Sequence, residues 1–206
     1  MTKKNYILQY YRAIQSGKIV VCEKVQRVYE KLAADCKTKG KYHFDIDRAT
    51  APIYFIETFC KQSKGVIGEG IKLDLFQKAG IQAIFGFVDD SGKRRYNEVL
   101  WIMGRKNGKS TLLSGLGLYM LVGDKEGGAE VDCVASKKDQ AKIVFKEARN
   151  MVIQSPYLTK YIRKRKSDMY CDYNFGVFQP LASDSNTMDG LNPHCGIIDE
   201  PSRCRP

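Results

Sequence analysis

One run constrains this chain more than any other: NEVLWIMGRKNGKSTLLSGLGLYMLV at residues 97–122, a basic glycine-bearing loop held between two apolar segments. Residues 97–103 read as a buried strand, and residues 110–122 have the length and apolar density of a buried helix. A glycine-rich bend in that position aims successive backbone N–H groups at a point in front of the helix, where the macrodipole favours anions. The expected ligand is a nucleoside triphosphate. Lys109 would reach its β- and γ-phosphates, the Ser110 hydroxyl would ligate Mg²⁺, and Gly108 supplies the tight backbone before the lysine. Gly104, Arg105, Lys106, Asn107 and Thr111 complete the cradle expected to hold ATP.

The spacing departs from G-x-x-x-x-G-K-[ST], because Met103 stands five places before Gly108 and Gly104 comes one place late. Read alone, such a string also fits an ordinary solvated loop. Its flanking strand and helix give it weight, and so does a second element, GIIDE at 196–200, where an apolar strand delivers Asp199 and Glu200 to its C-terminal end. In P-loop enzymes the first such acid serves the magnesium ion and the second polarises the attacking water as general base. One parallel sheet would bring both elements to the same edge. Arg105, inside the loop, could stabilise charge building on the γ-phosphoryl group, or add phosphate affinity alone.

The remainder of the chain supports an α/β architecture. Helices are expected near Asn5 to Gln15, across Val21, Val25, Val28 and Leu32, and near Asp47 to Gln62, giving a helical N-terminal subdomain over residues 1–70 that ends at the glycines of KGVIGEG. Residues 71–206 then form the core. LDLFQKAGIQAIFGF at 73–87 reads as a helix, and DDSGKRR at 89–95 as a turn projecting three basic residues at its tip. After residue 122 come a strand at 130–136, an amphipathic helix at 137–154, short strands around Asn174, and CGII before the two acids. Strand, loop, helix, strand, helix is the βαβ order of a mainly parallel sheet.

Charge and cysteine usage narrow the function class. With 34 Lys and Arg against 23 Asp and Glu the net charge is +11, which favours a polyanionic partner such as DNA. KYIRKRK at 160–166 concentrates five of the basic residues, either as a solvated basic face or as a contact to a nucleic-acid backbone. The seven cysteines are dispersed without C-x₂₋₄-C spacing, so they read as reduced thiols, and two histidines are too few for a histidine metal centre. No apolar run reaches the roughly 18 residues of a membrane-spanning helix, and no signal peptide is evident, so an intracellular location without membrane partners is expected.

The chain resembles the N-terminal ATPase part of tailed-phage large terminase subunits, the motors that drive double-stranded DNA into a capsid. The likeness rests on FIETFCKQSKG at 55–65, LDLFQKAGIQAIFGF, GRKNGKST, ASKKDQAKIVFKEARNMV at 135–152, PLASDSNTMDGLNP at 180–193 and GIIDE, in the family's order. An arginine-bearing deviant loop is itself characteristic of that family. The resemblance implies that Gln77 recognises adenine, Arg105 is the loop arginine, Lys109 and Ser110 contact phosphate and Mg²⁺, Asp199 is the metal-binding carboxylate and Glu200 the catalytic acid. It also implies portal protein and small terminase subunit as partners, a homo-oligomeric ring in the full-length parent, and a place in the host cytoplasm. Asp189 and Gly190 match a family signature expected to form a turn.

The family's further strand with its coupling motif, and its acid-rich nuclease domain, are not among these 206 residues, and PSRCRP differs from the usual continuation. The expectation is therefore an ATPase core cut short after Glu200, binding nucleotide more credibly than turning it over. Two alternatives stay open at this point: a helicase or recombination ATPase of the same P-loop class, and a catalytically silent remnant that binds DNA through its basic face.

Overall fold

The computed structural model describes residues 3–63, 65–135, 138–182 and 190–199. By packing, the chain divides into two units, Met1–Tyr54 with Lys72–Ile102, and Phe55–Ile71 with Met103–Pro206.

The first unit is built on helices α1 (Tyr6–Gln15), α2 (Glu23–Asp35), the first part of α3 (Ile46–Phe59) and α4 (Leu75–Gly86), with a two-stranded antiparallel ribbon of β1 (His43–Phe44) and β2 (Phe87–Val88). Asn5 caps α1, its side-chain oxygen accepting from Leu8 N at 2.9 Å. The apolar stripes of α1, α2 and α4 meet in two small clusters, Ile7 with Leu32 and Phe87, and Tyr10 with Ile14 and Ala79. The turn at 89–95 forms as expected around Gly92, at φ 81°. Its basic residues do not all project, however. Arg95 folds back to pair with Asp35 at 2.7 Å, and Arg94 lies 5.3 Å over the Phe85 ring, because an ion pair and aromatic faces in the same unit offer better partners than water alone.

The second unit carries a five-stranded mixed sheet in the order β4-β5-β6-β3-β7, where β4 is Ile162–Lys164, β5 Met169–Cys171, β6 Gly176–Ala182, β3 Glu130–Ala135 and β7 Cys195–Ile198. β3 is central and parallel to both β6 and β7, with Val131 opposite Phe178 and Cys195. β4, β5 and β6 pair antiparallel. Helices α5 (Lys109–Val122) and α6 (Lys138–Gln154) pack on the sheet, and the short α7 (Leu158–Tyr161) leads into β4. The expected α/β class is therefore what forms, and six cysteines among the described residues are free thiols.

Residues 97–103 correct the sequence reading. They form no strand, and Val99, Leu100 and Ile102 are exposed. A strand exists only as one member of a hydrogen-bonded pair, and no described strand pairs with this segment. Its fixed point is Trp101, whose ring packs so closely on Gly80 of α4 that a Cβ there would lie 2.6 Å from it.

Phe178 of β6 shows how α5 and α6 share one face of the sheet. Its ring meets Phe145 of α6 at 5.9 Å between centroids, and a Cβ on Gly117 of α5 would come within 2.9 Å of it and 3.0 Å of Ile197. Glycine at 117 is thus a packing requirement, letting the α5 backbone lie against β6 and β7. The opposite face carries Asp132, 2% exposed in mid-β3. Burial pushes its carboxyl up to about 6, against a hydrogen bond from Gln179 that acts the other way.

Two measurements follow. Gly117→Ala should lower the urea-unfolding free energy by about 1–2 kcal/mol, overpacking outweighing the roughly 1 kcal/mol gained in helix propensity. Asp132 binds its proton more tightly folded than unfolded, so its contribution to stability is present below about pH 4 and is lost as pH rises toward 6. Asp132→Asn should raise the urea midpoint at pH 7.5, and that advantage should shrink steadily as the titration is repeated down to pH 4.5.

Candidate functional site

The loop before α5 is built by two left-handed residues. Gly108, the N-cap of α5, sits at φ 73° and ψ 18°, where glycine meets no Cβ penalty. Lys106 sits at φ 65°, a conformation that costs a side-chain-bearing residue about 1 kcal/mol or more. Asn107 holds it there: its Nδ2 donates to Gly104 O at 3.1 Å and to Arg105 O at 3.2 Å, closing the loop on itself. Gly104 has room for this because a Cβ would press to 3.2 Å on that amide.

The first turn of α5 then begins with no side-chain cap, so the backbone donors of a helix start are left for an acceptor outside the helix. Lys109, Ser110 and Thr111 of this turn are partly exposed, and Arg105 and Lys106 are exposed. Behind the turn, Ser114 is fully buried, its Oγ 2.7 Å from Ser110 O and 2.8 Å from Val144 O, so its single proton is shared between α5 and α6. This hydroxyl ties the helix start to its neighbour.

Asp199 follows β7 directly. Because β7 runs parallel to β3 and α5 packs against both, the helix N-terminus meets the C-terminal end of β7, and Lys109 Nζ lies 2.7 Å from Asp199 Oδ1. The side chains are 34% and 12% exposed. Among the described residues Oδ1 is buried without a hydrogen bond, and the Lys109 ammonium is the charge that balances it. At the other end of β7, His194 Nε2 lies 2.8 Å from Asp124 Oδ2, and His194 N donates to Glu130 O, fixing the strand's entry beside β3.

The structure thus brings together Lys109 and Asp199, with Ser110, Thr111 and the loop residues Gly104 to Gly108 alongside in the same unit. Gln77 lies in the first unit, as the third residue of α4, where its Oε1 accepts from Asp74 N at 2.9 Å in a capping box. Glu200 and Asp189 fall outside the described residues, while Gly190 sits at φ 88°, as a turn glycine does. Ser114 was not anticipated from the sequence. Its signal was there, a lone hydroxyl four residues after Ser110 in an otherwise apolar helix.

Residues 75–205 match the family described as terminase large subunit, ATPase domain. Among curated relatives, the terminase large subunit of Enterobacteria phage HK97 is 32% identical over 165 residues, covering 77% of this chain and 31% of that protein. The terminase large subunit of Lactococcus phage p2 is 25% identical, covering 95% of this chain and 37% of that protein. The crystal structure of the HK97 bacteriophage large terminase superposes with a TM-score of 0.66 at 30% identity, over 76% of this chain and 32% of that one. The chain therefore spans about a third of the length of these relatives. No helix among the described residues is long and apolar enough to cross a membrane. With the family match running from α4 through β7 and across the Lys109 and Asp199 site, this chain belongs to the terminase large-subunit ATPase domain family.

Proposed function

We propose that residues 104–111 act as a P-loop that binds ATP, and that this chain contributes the ATPase step by which a phage motor moves double-stranded DNA into a capsid. The observation that carries the reading is the 2.7 Å pair of Lys109 with Asp199 in front of an uncapped helix start. A lysine, open backbone donors and a buried carboxylate converging on one point are the parts that phosphoryl transfer uses for charge stabilisation. In these roles Lys109 draws the β- and γ-phosphates onto the α5 N-terminus, and Gly108 and Asn107 keep the loop backbone in shape. Arg105 and Lys106 add positive charge from the solvent side, and Arg105 is the residue to stabilise charge on the γ-phosphoryl group. Gln77 as adenine contact and Glu200 as general base rest on the family likeness.

The residues fit a magnesium ion, since Asp199 Oδ1 is a buried carboxylate oxygen that, among the described residues, is met by the Lys109 charge without a hydrogen bond. Asp199 and the Ser110 hydroxyl would hold the ion, and its chemistry there is to withdraw charge from the phosphate oxygens. Further partners on this reading are the portal protein and a small terminase subunit in the host cell, with a homo-oligomeric ring as the working assembly.

Two binding experiments test it. A fluorescent ATP analogue should bind the purified chain with Mg²⁺, and Lys109→Ala should weaken that by about 10- to 100-fold, the 1.5–3 kcal/mol of a charge-assisted contact. Equal affinities would overturn the P-loop assignment. In EDTA, Asp199→Asn should bind the same analogue several-fold more tightly than the parent, because phosphate no longer competes with Asp199 for Lys109, a partly exposed pair worth about 1 kcal/mol. Added Mg²⁺ should reverse that order.

A further inference from the structure

The basic run KYIRKRK is not absorbed by the nucleotide site. It spans the end of α7, the whole of β4 and the turn toward β5, and β4 is the outermost strand of its sheet. The hairpin is anchored by Ile162, Met169 and Cys171, at most 1% exposed, whereas Arg163, Lys164, Arg165 and Lys166 all face solvent. Over residues 157–175 there are five cations and two acids.

Both acids are already engaged. Arg163 Nε pairs with Asp172, and Arg165 lies 3.7 Å from Asp168 with its guanidinium 4.3 Å over the Tyr170 ring. The two arginines are therefore held in place. Lys160, Lys164 and Lys166 have no carboxylate partner among the described residues, so the hairpin shows solvent three uncompensated ammonium groups and no free acid. Exposed aromatic rings lie along the same stretch of chain, Tyr157 at 57%, with Lys160 Nζ 5.9 Å over its ring, Tyr161 at 55%, Tyr173 at 77% and Phe175 at 73%.

We propose that this α7–β4–β5 edge is a contact surface for the phosphate backbone of double-stranded DNA, with Lys160, Lys164 and Lys166 as its phosphate-binding groups. Charge decides the partner. A protein surface of ordinary composition brings both signs, whereas here every acid is neutralised within the hairpin and only cations remain to be matched, as a polyphosphate matches them. The choice of duplex DNA rests on the function proposed above. The competing role for lysines on an edge strand is to block pairing with another chain's strand, and it predicts a different phenotype.

The test uses the whole chain and a labelled duplex of arbitrary sequence, with affinity measured by anisotropy from about 50 to 200 mM salt. The triple variant Lys160→Gln, Lys164→Gln, Lys166→Gln should bind about tenfold or more weakly at the low-salt end and lose about two to three from the slope of log affinity against log salt, near 0.9 per lost phosphate contact. A control triple with the same charge loss, Lys18→Gln, Lys24→Gln, Lys31→Gln on the exposed surface of the first unit, should leave the slope nearly unchanged. Equal losses in both triples would mean diffuse attraction and overturn the surface. So would unchanged DNA affinity with new oligomers in sedimentation, the signature of an edge guard. Tighter binding of a single strand than of the duplex would overturn the choice of duplex. ATP-analogue binding by the hairpin triple should equal that of the parent; its absence from the parent would instead count against the P-loop reading and leave the DNA result to stand alone.

Discussion

The close approach of α5 to the sheet is the interaction on which the site depends. Gly117 lets the helix backbone settle against Phe178 and Ile197, and Gly115 does the same against Ile56, where a Cβ would lie 3.0 Å from the isoleucine side chain. A helix held on both sides in this way has little freedom to slide, because packed interiors tolerate few voids and few overlaps. Its N-terminus is therefore fixed relative to the end of β7, and the 2.7 Å meeting of Lys109 with Asp199 is a consequence of core packing far from either charge. Ser114 adds a polar tie at the same level, anchoring the helix start to α6.

Much of this was legible in the sequence, for reasons that differ by element. α5 could be found because its apolar density leaves no other place for it than a core, and β7 because the apolar run CGII stops abruptly at two acids, which marks a strand's end. The loop was legible through Gly108 and Lys109. Residues 97–103 misled because hydrophobicity reports the tendency to be buried, while strand formation also requires an edge to pair with, which one sequence segment cannot reveal about another. DDSGKRR misled in the opposite sense: its turn was local and readable, but the fate of Arg95 depended on Asp35, 60 residues away. The place of Gln77 in a capping box, its Oε1 accepting from Asp74 N, was legible too, since it stands three residues after an aspartate at a helix start.

The electrostatics of the site and of the sheet behind it pull in different directions. At the end of β7 the Asp199 carboxylate is balanced by the partly exposed ammonium of Lys109. In mid-β3, Asp132 has no such cation among the described residues, and burial instead raises its carboxyl to about 6. The same residue type three positions before the C-terminal end of β3 thus behaves as a buried acid, whereas the aspartate just past the end of β7 meets a lysine.

The sheet order also sets the distance over which the two proposed surfaces must communicate. β7 and β4 are its opposite edges, separated by β3, β6 and β5, which is about 19 Å at the usual spacing of neighbouring strands. Charges that far apart in salt are screened from one another, so DNA at the hairpin cannot sense nucleotide at Lys109 directly. Any coupling must be mechanical, carried by an element with two arrangements that both sites bias. On the proposed nucleotide reading the Lys109 and Asp199 pair is where the arrangement changes, because a phosphate held by Lys109 competes with Asp199 for the ammonium. The packed link between the two edges is Phe178 of β6, which lies against both α5 and α6 in the strand that pairs with β5 and, through it, with β4.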